Sequence, residues 1–212
     1  ADVVVVRGGT GGVDVEGLVA RLNPTAAVVG ASPSAAWLFG AARFSLARGE
    51  GWPIGPLAAD GTAAGDGDGD SNDGEFASVV FRCARAPLHP ARLHAALRRA
   101  ADGGLVRLRG VVWLATRADV EGVASLAGAG FTLSAGAPWW AAIDEAAWPA
   151  GLRDELAPRW REPHGDRRTE LVCVGLRADA EAAAAALDSC VLGPEELVGG
   201  PEALDDPFAA GV

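Results

Sequence analysis

Short unbroken apolar runs and apolar residues spaced three to four apart take turns along this chain, a pattern that predicts strands alternating with helices. Val3–Val6 are four β-branched residues in a row and predict a buried strand. Val15, Leu18, Val19 and Leu22 share one face of a helix predicted over Asp14–Leu22, which Asn23 and Pro24 stop. Ala26–Val29 predict a second strand, and Ala35–Ala47 a helix with Trp37, Leu38, Ala41 and Ala42 near one face. The spacing then fails. The stretch "GEGWPIGPLAADGTAAGDGDGDSNDGE" is rich in Gly and Asp, has few large apolar groups to offset its ordering entropy, and reads as a flexible linker.

Regular spacing returns at Phe76. Phe76–Arg82 alternate as a strand, and His89–Ala100 predict a helix with Leu93, Leu97 and Ala100 on one face. Val106–Leu114 predict a strand, Ala124–Leu126 and Phe131–Leu133 a short hairpin around Gly128 and Gly130, and Leu171–Gly175 another strand. Ala180–Leu187 read as a helix capped by Asp179, with Glu181 in the first turn where the helix dipole favours negative charge. The reading is therefore an α+β protein: an open mixed or antiparallel sheet with helices on one face, preceded by an α/β segment. Three parts follow, residues 1–50, a linker at 51–75, and a second domain at 76–212.

Charge removes one class of function. The net charge of -10 argues against a nucleic-acid footprint, which needs a basic face to displace counterions from phosphates. No apolar run of ~18 residues free of charge predicts a membrane span, and no basic, apolar leader opens the sequence, so the reading is cytoplasmic. All 18 basic residues are Arg. Without Lys this chain alone supplies neither the phosphate-binding Lys of a P-loop nor a Schiff-base amine. Cys83, Cys173 and Cys190 are odd in number and widely spaced, which predicts buried thiols rather than a disulfide framework or a zinc ribbon.

Four stretches invite a chemical reading. "RGGTGG" follows the opening strand, but Gly9, Gly11 and Asp14 miss the third glycine of a dinucleotide fingerprint, so it reads as a strand-end loop. Asp66, Asp68 and Asp70 match the first ligands of a calcium loop, yet Ser71 and Ala77 stand where the turn glycine and the bidentate Glu belong, which leaves an acidic linker. His89 and His94 are five apart, off a shared helix face, and His89 before Pro90 suits a helix start. A metal site of Cys83, His89 and His164 has no support in the spacing, and no metal site is expected. In "HGDRRTELVCVG", Asp166, Arg167 and Arg168 precede a buried strand. That arrangement suits either bidentate anion binding or an internal pairing of Asp166 with Arg109 or Arg117. No catalytic constellation is visible.

The order of motifs in 76–212 resembles the C-terminal domain of the CobW-like family of GTP-binding metal chaperones. The resemblance rests on Arg85, Pro87, His89, Pro90 and Arg92 after the first strand, and on Gly110, Trp113, Leu114, Ala115 and Arg117 in the next. It rests further on the Pro-Trp-Trp step at Pro138–Trp140, on Gly165–Val172, and on "LDSCVLGPEEL" and "DDPF" near the end. It implies candidate interaction residues at His89, Arg92, Arg117, Trp139, Trp140, Asp166, Arg167 and Arg168. It also implies that the opening strand is the tail of a P-loop GTPase-like domain. There the family's guanine-reading Asn-Lys-x-Asp is replaced by Arg7, Gly8, Gly9 and Thr10, a degenerate loop. The family's use of GTP with magnesium and of zinc, or of cobalt for cobalamin, follows by implication only, and no cofactor is expected in this chain itself. The expected partner is a client protein or the GTPase half of the same family. The leading expectation is a non-catalytic interaction or regulatory module. The rivals are a share in an active nucleotide-hydrolysing metallochaperone and a free-standing scaffold.

Overall fold

The computed structural model describes residues 3–5, 15–22, 27–29 and 75–208. The loop Arg7–Thr10, the helix expected at Ala35–Ala47 and the acidic stretch at 66–73 lie outside the described residues. The chain divides into two units, residues 1–77 and 78–212.

In the first unit, β1 (Val3–Val5) and β2 (Ala27–Val29) pair in parallel, with Val3 opposite Ala27 and Val5 opposite Val29. The helix α1 (Val15–Leu22) connects them. Parallel neighbours need such a crossover, so the strand-helix-strand reading of this stretch holds.

The second unit is built on a five-stranded sheet in the order β3-β7-β4-β5-β6. Its strands are β3 (Phe76–Cys83), β4 (Arg107–Val112), β5 (Val120–Ala127), β6 (Gly130–Pro138) and β7 (Thr169–Leu176). The pairs β4–β7, β4–β5 and β5–β6 are antiparallel. Two long helices, α2 (Pro90–Asp102) and α4 (Arg177–Asp188), pack on each other, α2 against β5 and β6, α4 against β7. They cover one face of the sheet. Leu93 and Leu97 of α2 and Leu187 of α4 meet Leu108, Leu126, Leu171 and Cys173 of the strands, all at most 1% exposed. Burying one such side chain contributes about 1.5–3 kcal/mol, so these positions dominate the stability of the unit. Two short helices, α3 (Leu152–Leu156) and α5 (Pro194–Val198), complete it.

The hairpin is longer than expected, because β5 begins at Val120 and β6 runs on through the small and polar residues 134–136 to Pro138. Asp179 does not cap α4; the helix begins at Arg177, its N-cap position is Leu176, and Asp179 sits in the first turn. Gly110 shows why its position admits no side chain. Its φ is +151°, and a Cβ there would collide with the carbonyl oxygen of Glu170 on the paired strand.

Candidate interaction site

One end of the sheet gathers most of the motif residues. The turn after β4, the start of β5, the end of β6 and the start of β7 converge there, since Val120 pairs with Pro138 and Val111 with Glu170. Just past β6, the 3-10 turn Trp140–Ala142 leaves backbone N–H groups without helical partners. Asp166 supplies them: its Oδ2 accepts from Trp140 N at 3.0 Å and its Oδ1 from Ala141 N at 2.9 Å. The carboxylate is buried, and these bonds offset the cost of that burial. The preceding Gly165 has φ +69° and lies against Ala141 and the Trp160 ring, so a side chain there would push the turn away from Asp166.

The arginines beside Asp166 are equally engaged. Arg167 Nε donates to the Ala118 carbonyl at 2.7 Å, and its guanidinium lies 3.7 Å from the Asp119 carboxylate. Arg168 donates to the Asp166 carbonyl at 3.2 Å, approaches Glu170 Oε2 at 3.7 Å and stands over the Trp139 ring at 5.9 Å. Glu170 is buried and takes a 2.7 Å bond from Arg82. Glu121 borders the group. Burial pushes its carboxyl above the ordinary glutamate value, Arg168 opposes that shift, and Asp166 adds to it.

Trp139, named as a candidate interaction residue, is fully buried and so presents no surface to a partner. Its backbone N–H donates to the Asp119 carbonyl, and its ring belongs to the core. Trp140 is half-buried and begins an edge-to-face series, 6.3 Å from Trp148, which lies 5.5 Å from Trp160. Of the readings left open for Asp166, pairing with Arg109 or Arg117 is not what the structure shows, since its carboxylate takes backbone N–H groups instead. Arg117 bonds Asp206 at 3.2 Å, the carboxylate that also accepts from Thr116 Oγ1 at 2.7 Å and from Phe208 N at 2.9 Å. Arg109 lies on the opposite face of the sheet from the helices, with no ion pair among the described residues.

His89 and Arg92 form a separate group at the start of α2. His89 holds the N-cap position, but its side chain makes no capping bond and its Nδ1 is buried without a partner among the described residues. Arg92 meets both carboxylate oxygens of Glu196 at 2.8 Å and the Ser189 carbonyl at 3.2 Å. Sequence reasoning missed Asp119, Glu170, Asp206 and Glu196. Each meets an arginine distant in sequence, Arg167, Arg82, Arg117 and Arg92 in turn, and no local spacing announces such pairs.

No metal finds a fitting set among the described residues. No three His, Cys, Asp or Glu side chains there are grouped to hold a metal ion. The three cysteines are buried and unpaired; Cys83 Sγ contacts the Ala86 carbonyl at 3.7 Å. His164 lies against the Trp113 ring, and His94 against Phe131 and Phe208. No described helix is long and apolar enough to cross a membrane.

Comparison with known proteins places this geometry. Residues 76–191 match the family described as the cobalamin synthesis protein cobW C-terminal domain. A zinc chaperone of Mycobacterium tuberculosis is 38% identical over 128 residues, which cover 59% of this chain and 32% of that protein. A zinc-regulated GTPase metalloprotein activator of Dictyostelium discoideum is 31% identical over 129 residues, 59% of this chain and 27% of that protein. The chain thus spans about a third of the length of these curated relatives. The solved structure of the Zn(II)-bound YjiA GTPase from E. coli aligns with 91% of this chain and 52% of its own at 14% identity, with a TM-score of 0.41.

Proposed function

Because the chain belongs to the CobW C-terminal domain family, we propose that it acts as the non-catalytic interaction and regulatory module of a zinc or cobalt homeostasis protein. The observation that carries this reading is what the motif residues do. Asp166 fixes the Trp140 turn, Arg167 ties the β4–β5 connection, Arg92 holds Glu196, and Arg117 holds Asp206. Each bonds backbone or another part of the same unit, though the Arg92 Nε is buried without a partner among the described residues. Such residues shape a rigid platform, and among the described residues no three His, Cys, Asp or Glu side chains are grouped to hold a metal ion. The partner of such a platform is a client protein or the nucleotide-binding half of a related protein, and the metal is cargo of the whole system.

A second reading, in which this chain works as part of an active GTPase metallochaperone, is favoured by one observation. The relatives are roughly three to four times as long as the matched stretch, and one of them bears the name of a GTPase. In that reading the P-loop Lys comes from outside these 212 residues, which contain none.

The test is genetic. Deleting the gene should produce a growth defect under zinc or cobalt limitation that the gene restores. Growth indifferent to both metals would leave only a scaffold without a metal link.

A further inference from the structure

The helices cover one face of the sheet, and the other face is organised by the strand register into two rows. Arg109 stands between Val172 and Ser125, with Thr132 beyond. Val111 stands between Glu170 and Val123, with Ser134 beyond. Val111, Val123 and Val172 are half-buried, which leaves an apolar strip with hydroxyls along one side. Arg107 lies on the same face one row further, opposite Val174.

We propose that this face is a docking surface for an extended, acidic segment of a partner protein. The proposal rests on the reading of the chain as an interaction module and names the surface and the chemistry it selects. Charge complementarity carries it. The arginines at the other end of the sheet are all committed: Arg82 to Glu170, Arg117 to Asp206, Arg167 to Asp119, and Arg168 to Glu170. Arg107 and Arg109 are exposed and have no ion pair or hydrogen bond among the described residues. They are two positive charges held on a rigid strand in a chain of net charge -10. Their spacing is specific. Residues two apart on a strand point the same way, about 7 Å apart. An extended segment with carboxylates at alternate positions repeats that distance, and its intervening side chains are free to turn to other contacts. Arg also suits the task through its fork of donors, which binds a carboxylate bidentately. The hydroxyls of Ser125, Thr132 and Ser134 offer hydrogen bonds beside the strip.

The test uses the full chain and a fluorescent nine-residue peptide that alternates Asp and Val, followed by anisotropy at low salt. Saturable binding is expected, with no binding of the matching Lys-Val peptide. Arg107→Glu with Arg109→Glu should weaken binding at least about tenfold, since two attractions become two repulsions. Arg98→Glu with Arg99→Glu imposes the same charge change on the exposed side of α2 and should weaken it less than about twofold. Circular dichroism checks the fold; should the reversed pair unfold, Arg107→Gln with Arg109→Gln is read in the same way. No saturable binding, or equal losses in the two charge-reversed pairs, would overturn the proposal. A dimer seen by light scattering that the Arg107 and Arg109 reversal dissolves would assign the face to a second copy and also overturn it. Peptide binding without any metal-dependent growth phenotype would refute the functional reading and leave the docking surface standing.

Discussion

Asp166 holds the backbone of Trp140: a buried carboxylate just before β7 accepts the Trp140 N–H at 3.0 Å, 26 residues back along the chain. Two loops distant in sequence are thereby tied together beside the buried Trp139.

Asp166→Ala strips the Trp140 and Ala141 N–H groups of their acceptors without opening the site to water. Stability should fall by about 2–4 kcal/mol, the cost of losing charge-assisted bonds and leaving donors unpaired. Asp166→Asn, which keeps one acceptor, should lose less. Urea denaturation followed by circular dichroism measures both; equal, negligible losses would show that the turn stands without the carboxylate.

Trp139→Ala should destabilise by about 3–5 kcal/mol, because the ring is fully buried and leaves a cavity. Trp113→Ala should cost a similar amount, at 4% exposure. Trp140→Ala, at a half-buried position, should cost clearly less. The ranking in denaturant midpoints is the check, and a Trp140 variant weaker than the Trp139 variant would contradict the burial assignment.

How far the sequence foretold this unit depends on the kind of interaction. The strand from Arg107 and the helix after His89 were legible because their apolar residues repeat at strand and helix periods, and those periods face the core. The extent of β6 was not, since Thr132, Ser134 and Gly136 carry no apolar signal and owe their conformation to the partner strand. The tryptophan pair shows the same limit. Trp139 and Trp140 are alike in type and adjacent, and nothing in their local sequence tells which is buried; the difference arises from contacts with distant residues such as Asp119 and Asp166. Ion pairs such as Arg92 with Glu196 join residues 104 apart, beyond any local pattern.

That pair gives a pH-dependent prediction. The Gly193 N–H, followed by the Arg92 guanidinium, holds the Glu196 carboxyl below its usual value of 4.5. A depressed folded-state value means the stabilisation is present above the unfolded glutamate's value and is lost as pH falls through the lower folded one. Tm should therefore be slightly higher for the parent than for Glu196→Gln at neutral pH, and the gap should close below about pH 4.5. The gap is small because the pair is exposed to solvent. A gap that widens in acid would reverse the assignment.

Burial pushes the Cys173 thiol up to about 12. The Cys190 thiol is also raised by burial, against the opposing pull of Arg92, its hydrogen bond with Ser189, and Arg99. The thiolate is the reactive form, so at pH 8 native Cys173 should react with iodoacetamide at least about 100-fold more slowly than in urea. Mass spectrometry of the labelled protein reads this directly. Rapid native labelling of Cys173 would mean that the space between β7 and the helices opens readily.

The most direct test of the non-catalytic reading is calorimetric titration of the chain with GTP and magnesium, with phosphate release assayed in the same samples. Without a Lys in the 212 residues to meet the phosphates, no heat of binding should appear up to about millimolar nucleotide, weaker than roughly -4 kcal/mol. No phosphate should be released. Micromolar, guanine-selective binding, or turnover by the chain alone, would contradict the account and make this chain a nucleotide enzyme.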